Sequence, residues 1–230
     1  MSYFDHFATS PSTWVGRWFT LTAVRQEYRF LRTHLHNKQA VILEIGPGHG
    51  EFADLLRKGG FTNYTGVEPN HLMRESLAHK GVKVKNYLIP KLQEDDDSYD
   101  VIFLFDVFEH LNDTAEAKLF VSEAYRVLRP GGLLCIGCPD YNHWGVDFFN
   151  CDYSHSNITT VRRTRQLFMN FGMRTLEFAY LSGFAKGWLA TLLSYLVRMG
   201  LFFVRSADNE QKLYKLKLTF LRRFIIVGMK

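Results

Sequence analysis

Short apolar runs alternate with longer amphipathic segments between residues 40 and 180. Segments with helical spacing of apolar residues cover 52–58, 71–79 and 115–128, each followed closely by glycine. This alternation predicts a parallel β-sheet whose strands are joined by right-handed helical crossovers. The apolar runs of strand length lie at residues 40–44, 64–68, 82–87, 99–105 and 133–137.

Residues 1–39 are rich in aromatic side chains and precede the alternating core. Apolar positions from 18 to 35 recur at roughly helical spacing, which predicts one or two helices. We expect them either to pack against the body or to form a lid over a ligand. A length of 230 residues favours a single domain, with its core at residues 40–180.

The pattern loosens after the fifth predicted strand. An aromatic and polar loop at 140–157 is too long for a simple connection. A helix at 160–171 and a sixth strand at 174–180 are expected next. Residues 181–223 are predicted to be an apolar and basic helical insertion, and residues 224–230 the last strand.

Charge is distributed unevenly along the chain. The formal net charge is +5, yet residues 181–230 contain nine Lys or Arg and two Asp or Glu, a net +7. Residues 1–180 therefore sum to −2. A nearly neutral body argues against nucleic acid as the required substrate, whereas the basic tail is a candidate contact surface.

The cysteines resemble a zinc pattern only superficially. Cys135, Cys138, Cys151 and His155 have the spacing C-x2-C-x12-C-x3-H. The first two lie in a predicted strand, where residues three apart face opposite sides, so no metal site is expected. The number of cysteines is odd, and the chain does not start with a basic stretch followed by an apolar one. We therefore expect a cytoplasmic protein.

A glycine-rich turn follows the first strand, in the sequence Glu44-Ile-Gly46-Pro47-Gly48-His-Gly50. Glycines let the backbone approach a ligand closely, and the helix that follows offers free amide donors. The dinucleotide form of this turn, G-x-G-x-x-G, would need glycine at position 51, which is Glu51. A nicotinamide dehydrogenase is therefore disfavoured.

Further motifs follow in order along the chain. Glu68 ends the second strand, where a carboxylate can accept hydrogen bonds from ribose hydroxyls. Segment 99–111 (YDVIFLFDVFEHL) contains the fourth predicted strand and the loop after it. Segment 126–132 (RVLRPGG) is the turn that leads into the fifth predicted strand. Together with E-x-G-x-G-x-G, they resemble the motifs of class I S-adenosylmethionine-dependent methyltransferases.

The resemblance implies a Rossmann-like three-layer α/β sandwich with a seven-stranded, mostly parallel sheet and an antiparallel last strand. It also implies S-adenosylmethionine as the cofactor, with S-adenosylhomocysteine as its product. The methionine end would lie at Glu44, Gly46, Pro47, Gly48 and Gly50. The ribose would lie at Glu68, the adenine near Pro69, Tyr87 and Leu88, and the methyl group near Asp106 and Val107.

A hydroxyl acceptor benefits from a general base, for which histidine is the usual residue. His110 and His155 are the candidate catalytic residues, because both follow strands at the edge of the sheet where ligands bind. His110 could instead only orient its loop. Candidate substrate residues in the long loop are His143, Trp144, Asp152 and Tyr153, with the alternative that the aromatic ones only pack the loop.

The acceptor prediction depends partly on residues 152–173, which resemble the matching region of bacterial methyltransferases of glycan biosynthesis. The first choice is O-methylation of a sugar or glycan intermediate, followed by a phenolic or other small metabolite and then a nitrogen acceptor. A catalytically silent scaffold that binds a partner through the basic tail is the alternative from another class.

The insertion has a polar stripe at Thr191, Ser194, Arg198 and Arg205 on an otherwise apolar helix predicted over 186–205. Lys212, Lys215, Lys217, Arg222 and Arg223 follow. Three interpretations remain open for 186–223: packing against the body, a homodimer contact, or peripheral contact with a membrane at its cytoplasmic face.

Overall fold

A computed structural model describes Asp5, residues 13–202 and residues 210–230. The rest of the predicted lid segment before Thr13, and Arg205 of the predicted helix, lie outside the described residues. The longer helices are α1 (Trp14–Arg32), α2 (Glu51–Lys58), α3 (His71–His79), α4 (Thr114–Val127), α7 (Val161–Asn170), α8 (Trp188–Phe202) and α9 (Glu210–Phe220). Two short helices, α5 (Tyr141–Trp144) and α6 (Asp147–Asn150), lie within the segment predicted as a loop, and a 3-10 turn covers Phe108–His110.

The strands form one mixed sheet in the order β3-β2-β1-β4-β5-β8-β6-β7. Strands β1 to β5 pair in parallel, and β8 pairs antiparallel with both β5 and β6. The strand bounds are β1 (Ile42–Ile45), β2 (Tyr64–Val67), β3 (Lys83–Lys85), β4 (Tyr99–Phe105), β5 (Leu128–Pro139), β6 (Arg174–Ser182), β7 (Ala185–Lys186) and β8 (Arg223–Met229).

This architecture confirms the predicted Rossmann-like α/β fold and its antiparallel last strand. The described strands number eight rather than seven, because β7 adds a two-residue hairpin partner to the end of β6. Two residues are too few to produce a recognisable apolar alternation. The fifth strand is also longer than predicted, because it continues through the Arg-Pro-Gly-Gly turn.

Helices cover both faces of the sheet, which makes three layers. One core cluster joins Ile102 and Leu104 of β4 to Phe120 of α4 and Phe168 of α7. The other joins Phe103 of β4 to residues of α1 and α2, including Leu31 and Phe52. Alternate β4 side chains therefore enter opposite layers, which explains why this strand is apolar at nearly every position.

Side-chain caps fix where several of these helices begin. Asn70 accepts a hydrogen bond from Met73 N at 3.1 Å, Asp113 from Glu116 N at 2.8 Å, and Thr160 from Arg163 N at 3.1 Å. Each cap satisfies an amide that has no partner within its helix. The caps of α3 and α4 follow β2 and β4, so they also fix the chain at the carboxyl edge of the sheet.

The insertion contains α8 and α9, and the helix predicted over 186–205 is observed from Trp188 to Phe202. Strand β8 begins one residue earlier than predicted, at Arg223. Within the described residues, no helix combines the length and the apolar character that crossing a membrane requires.

Candidate functional site

The glycine-rich turn joins β1 to α2 in a backbone conformation that favours glycine. Gly46, Gly48 and Gly50 have φ of 72°, 54° and 81°. A Cβ on Gly46 would lie 2.5 Å from Cγ2 of Val107, so this glycine also lets the loop after β4 close over the turn. The amides at the start of α2 face the carboxyl edge of the sheet, where a negatively charged group of a ligand is stabilised.

Glu68 is buried at the end of β2 and is bonded to the turn. One carboxylate oxygen accepts from Gly48 N at 3.3 Å, and the other accepts from Asn70 N at 3.0 Å. Burial raises the pKa of Glu68, while these two backbone donors oppose the rise. The carboxylate is held in one orientation at the edge of the sheet, and its remaining lone pairs can accept hydrogen bonds from a diol.

Glu44 lies beneath the same turn. It is buried, and the Tyr64 hydroxyl donates a hydrogen bond to one of its oxygens. Burial raises the pKa of Glu44 to about 8, whereas the Tyr64 hydrogen bond lowers it. A cationic group bound nearby would favour the ionised form. Tyr64, which positions this carboxyl, was not among the residues proposed from the sequence.

The proposed adenine edge is only partly open. The Tyr87 hydroxyl donates to Glu94 at 2.9 Å and its ring lies in the core, so the side chain points away from the edge. Leu88 is 74% exposed and presents an apolar side chain there. Next to Pro69, the Asn70 side-chain amide donates to Asp5 at 2.8 Å, so the N-terminal segment reaches this edge.

The loop after β4 is held by a partly buried arginine that the sequence interpretation placed only in the basic tail. Arg223, the first residue of β8, contacts Asp106 at 2.7 Å and Glu27 of α1 at 2.7 Å. Burial raises the pKa of Glu27 to about 7, and Arg223 opposes this rise. Asp106, with φ of 54°, is thereby fixed next to Val107 and the glycine turn.

His110, at the end of the 3-10 turn, belongs to a hydrogen-bonded chain. Its Nδ1 lies 2.8 Å from Ser154 Oγ, and Ser154 Oγ lies 2.6 Å from a carboxylate oxygen of Asp152. A carboxylate only accepts, so Ser154 donates to Asp152 and accepts from the Nδ1–H of His110. This assigns the histidine lone pair to Nε2. Burial lowers the pKa of His110, and the neighbouring His155 lowers it further.

His155 packs edge-on against His110, with ring centroids 4.8 Å apart. Its Nδ1 lies 2.8 Å from the carbonyl oxygen of Phe148, so that nitrogen carries a proton and donates it. The side chain is buried beneath α6. The two predicted catalytic histidines, 45 residues apart in the chain, therefore lie together.

Glu109 is the functional candidate that the sequence interpretation missed. It is 1% exposed, and among the described residues neither carboxyl oxygen has a hydrogen-bond partner at normal geometry, although the Cys138 thiol lies beside it. Burial, together with the negative charge of Asp106, raises the pKa of Glu109 to about 8. A carboxyl group that is buried and unpaired is costly, which suggests a function for it. The sequence signal that could have identified Glu109 is its position next to His110, just after β4.

Glu109, His110 and His155 also form a group that could hold a metal ion. One ligand atom from each lies within 4.8 Å of the other two. The zinc pattern considered from the cysteines is different: Cys135 and Cys138 are buried in the two opposite core clusters, as expected for residues three apart on a strand.

The candidate substrate residues separate into two groups. Asp152 and the 76% exposed Tyr153 lie beside the histidine pair. His143 and Trp144 instead pack beneath the insertion: His143 Nδ1 bonds Ser194 Oγ at 3.0 Å, and the Trp144 indole donates to the carbonyl of Arg222 at 3.1 Å. Both are 2% exposed, so in this conformation they are packing residues and not a substrate platform.

A methyltransferase domain family matches residues 20–178. A probable S-adenosylmethionine-dependent methyltransferase of Mycolicibacterium smegmatis is 35% identical over 103 residues, 43% of this chain and 38% of the relative. EEF1A lysine methyltransferase 2 of Danio rerio is 28% identical over 133 residues, 52% of this chain and 56% of the relative. The chain thus spans roughly half or less of the length of these curated relatives.

A solved structure gives the same fold over a larger part of the chain. The S-adenosylmethionine-dependent methyltransferase of Thermotoga maritima, described as a possible histamine N-methyltransferase, superposes with a TM-score of 0.61 and 20% identity. The similarity covers 93% of both chains. At this identity it shows the fold and not the acceptor.

Proposed function

Since the chain belongs to the methyltransferase domain family and is an S-adenosylmethionine-dependent methyltransferase, we propose that it methylates a hydroxyl oxygen of a small acceptor. A sugar or glycan intermediate is the first candidate. The observation that carries this proposal is the Asp152–Ser154–His110 chain, because it supplies a correctly oriented neutral base beside Val107 and Asp106.

In the proposed site, different residues bind different parts of the cofactor. Glu68 holds the ribose hydroxyls, and the amides of the glycine turn and Glu44 hold the methionine end of the cofactor. The cofactor supplies a methyl group on a sulfonium, which is reactive enough that the protein mainly has to align the acceptor. The loop after β4, fixed by Arg223, forms the wall on the methyl side.

His110 takes the acceptor proton in this proposal. A bound cofactor would supply the methyl group to the acceptor oxygen, and Nε2 of His110 would take the proton that the hydroxyl loses. Ser154 and Asp152 keep the other nitrogen protonated and stabilise the imidazolium that results. The lowered pKa of His110 leaves it neutral near pH 7, as a proton acceptor must be.

A nitrogen acceptor is the second candidate, supported by the 28% identity to a lysine methyltransferase. A protonated amine must also lose a proton before it reacts, so a base by itself does not distinguish the two acceptors. A phenolic acceptor needs less help, because its hydroxyl is already more acidic. A catalytically silent scaffold would transfer no methyl group at all.

The experiment is an acceptor panel with trideuteromethyl-labelled S-adenosylmethionine and mass spectrometry of the products. The panel contains monosaccharides, nucleotide sugars, simple phenols and a lysine-containing peptide. We expect one labelled methyl on a sugar hydroxyl, strongly reduced in His110→Gln and unchanged in the control His79→Gln, whose histidine is exposed on α3. Label on the lysine peptide alone would overturn the oxygen proposal, and label on a phenol alone would replace the sugar.

A further inference from the structure

Helix α8 is oriented with its polar stripe toward the body. Ser194 is fully buried and accepts hydrogen bonds from Arg222 N at 2.9 Å, besides its contact with His143. The Thr191 hydroxyl accepts from Arg222 Nη1 at 3.0 Å, and Arg198 donates to the carbonyl of His143 at 3.1 Å. The polar stripe seen in the sequence thus holds the helix on the protein.

This orientation leaves the apolar side of α8 facing outward. Its exposed side chains are Trp188 at 73%, Leu189 at 49%, Leu192 at 46%, Tyr195 at 54%, Leu196 at 53% and Met199 at 63%. A helix on the surface of a water-soluble protein normally has the opposite arrangement, with its polar side exposed to water. Exposing this many large apolar side chains together is characteristic of an interaction surface.

Neighbouring elements extend the same surface. Phe184, in the turn between β6 and β7, is 64% exposed, and Gly183 beside it bonds to Thr219 of α9. Phe220 of α9 in turn contacts Phe19 of α1, with ring centroids 5.4 Å apart. Trp18, next to Phe19, is 50% exposed. We refer to Trp18, Phe184 and the outward side of α8 as the apolar face.

In the described parts of the insertion's two helices and the strand before them, from 186 to 202 and from 210 to 220, the charged residues are cationic except for Glu210 at the start of α9. Lys186, Arg198 and Lys215 are exposed there. In a symmetric homodimer through this face, each copy would present the same cationic surface to the other, so the two surfaces would repel. An anionic bilayer complements both the cations and the apolar side chains.

We propose that the apolar face docks on the surface of a bilayer that contains anionic lipid. Trp188, Tyr195 and Trp18 are of the types that concentrate at the membrane–water interface, where their rings lie at the level of the headgroups. Helix α8 lies in the plane of the interface rather than across it, with its polar side still bonded to the protein.

Docking here places the catalytic edge next to the membrane. Strand β6 runs parallel to β5 and ends at the same edge as Pro139, and β8 begins there at Arg223. Lys217 of α9 forms a salt bridge of 2.7 Å with Asp147 of α6, the short helix that precedes the Asp152–His155 segment. The apolar face and the histidine pair are therefore joined through one loop and lie on one edge of the sheet.

Vesicle co-sedimentation tests the proposal, with the intact 230-residue chain and two vesicle compositions: phosphatidylcholine alone, and phosphatidylcholine mixed with phosphatidylglycerol. The apolar variant is Trp188→Ser/Leu192→Ser/Leu196→Ser. Its control is Leu119→Ser/Met169→Ser, which removes exposed apolar side chains from α4 and α7. The charge variant is Lys215→Gln, and its control is Lys118→Gln on α4. Binding of S-adenosylhomocysteine by each variant verifies that it is folded.

We expect wild-type protein to bind the phosphatidylglycerol vesicles, and the apolar variant to lose at least about tenfold in partitioning. Lys215→Gln should lose up to about fivefold at low salt, and both controls should match the wild type. Three results would overturn the proposal: no binding to anionic vesicles at low salt, equal binding by the folded apolar variant, or a dimer that the apolar variant abolishes in sedimentation velocity without any vesicle binding.

Discussion

Removing the Glu68 carboxylate should weaken cofactor binding by about two orders of magnitude. The two oxygens of Glu68 are held by Gly48 N and Asn70 N, so in the proposed site they would meet the ribose without reorganising. A hydrogen bond to a charged acceptor contributes about 1.5 to 3 kcal/mol. Two such bonds to the ribose, at the lower value, give about 3 kcal/mol, which corresponds to roughly a hundredfold in Kd.

Isothermal titration with S-adenosylhomocysteine measures this loss in Glu68→Ala. Glu75→Ala is the matched control, because Glu75 is an exposed carboxylate on the adjacent helix α3. Thermal unfolding without ligand separates a binding effect from a folding effect, since Glu68→Ala also leaves two backbone amides without their acceptor. A Kd within twofold of the wild type, in a folded variant, would refute the assignment of Glu68 to the ribose.

Three further predictions concern charge and metal. Arg222→Met should destabilise the protein by about 3 to 5 kcal/mol in urea unfolding, because Asp140 would remain buried without its partner; full stability in the variant would contradict this. Burial raises the pKa of Glu109 to about 8, so the folded state binds more protons than the unfolded state between about pH 4.5 and pH 8, and stability should fall as pH rises through that window. Glu109→Gln should reduce this slope and raise stability at pH 8 by on the order of 2 kcal/mol; an unchanged urea midpoint would refute it. Methyl transfer should survive treatment with a chelator, whereas a loss that one divalent cation restores would assign Glu109, His110 and His155 to a metal.

The sequence was sufficient for the sheet because its central strands are buried on both faces. Residues 99–105 are apolar at nearly every position, which follows from helices on both sides of β4. The antiparallel direction of the last strand came from the family resemblance, whereas its place between β5 and β6 is known only from the structure. Strand β7 left no signal because it contains only two residues.

The polar stripe of α8 shows how far periodicity can be used. Helical spacing places Thr191, Ser194 and Arg198 on one side, but it does not show whether that side faces water or protein. The answer depends on Arg222 and His143, which are distant in sequence and offer hydrogen-bonding partners. For the same reason, His143 and Trp144 were predicted at the site but lie under the insertion.

The candidate site likewise contains some residues that the sequence predicts and others that only the structure brings together. Glycine positions and the acidic end of β2 could be predicted, because local backbone geometry determines them. The link from Asp152 through Ser154 to His110 could not, because it joins two loops 44 residues apart. Arg223 contacts Asp106 and Glu27 for a similar reason: the antiparallel insertion of β8 brings three distant segments together.

The most direct test of the proposed mechanism is the pH dependence of kcat/KM for methyl transfer, in the wild type and in His110→Gln. If His110 is the base, the wild-type rate should fall on the acid side, below the ordinary histidine pKa, as Nε2 becomes protonated. His110→Gln should be slower by a factor of about 10² to 10⁴ and should lack that acid limb. A variant that keeps both the wild-type rate and the acid limb would contradict the account.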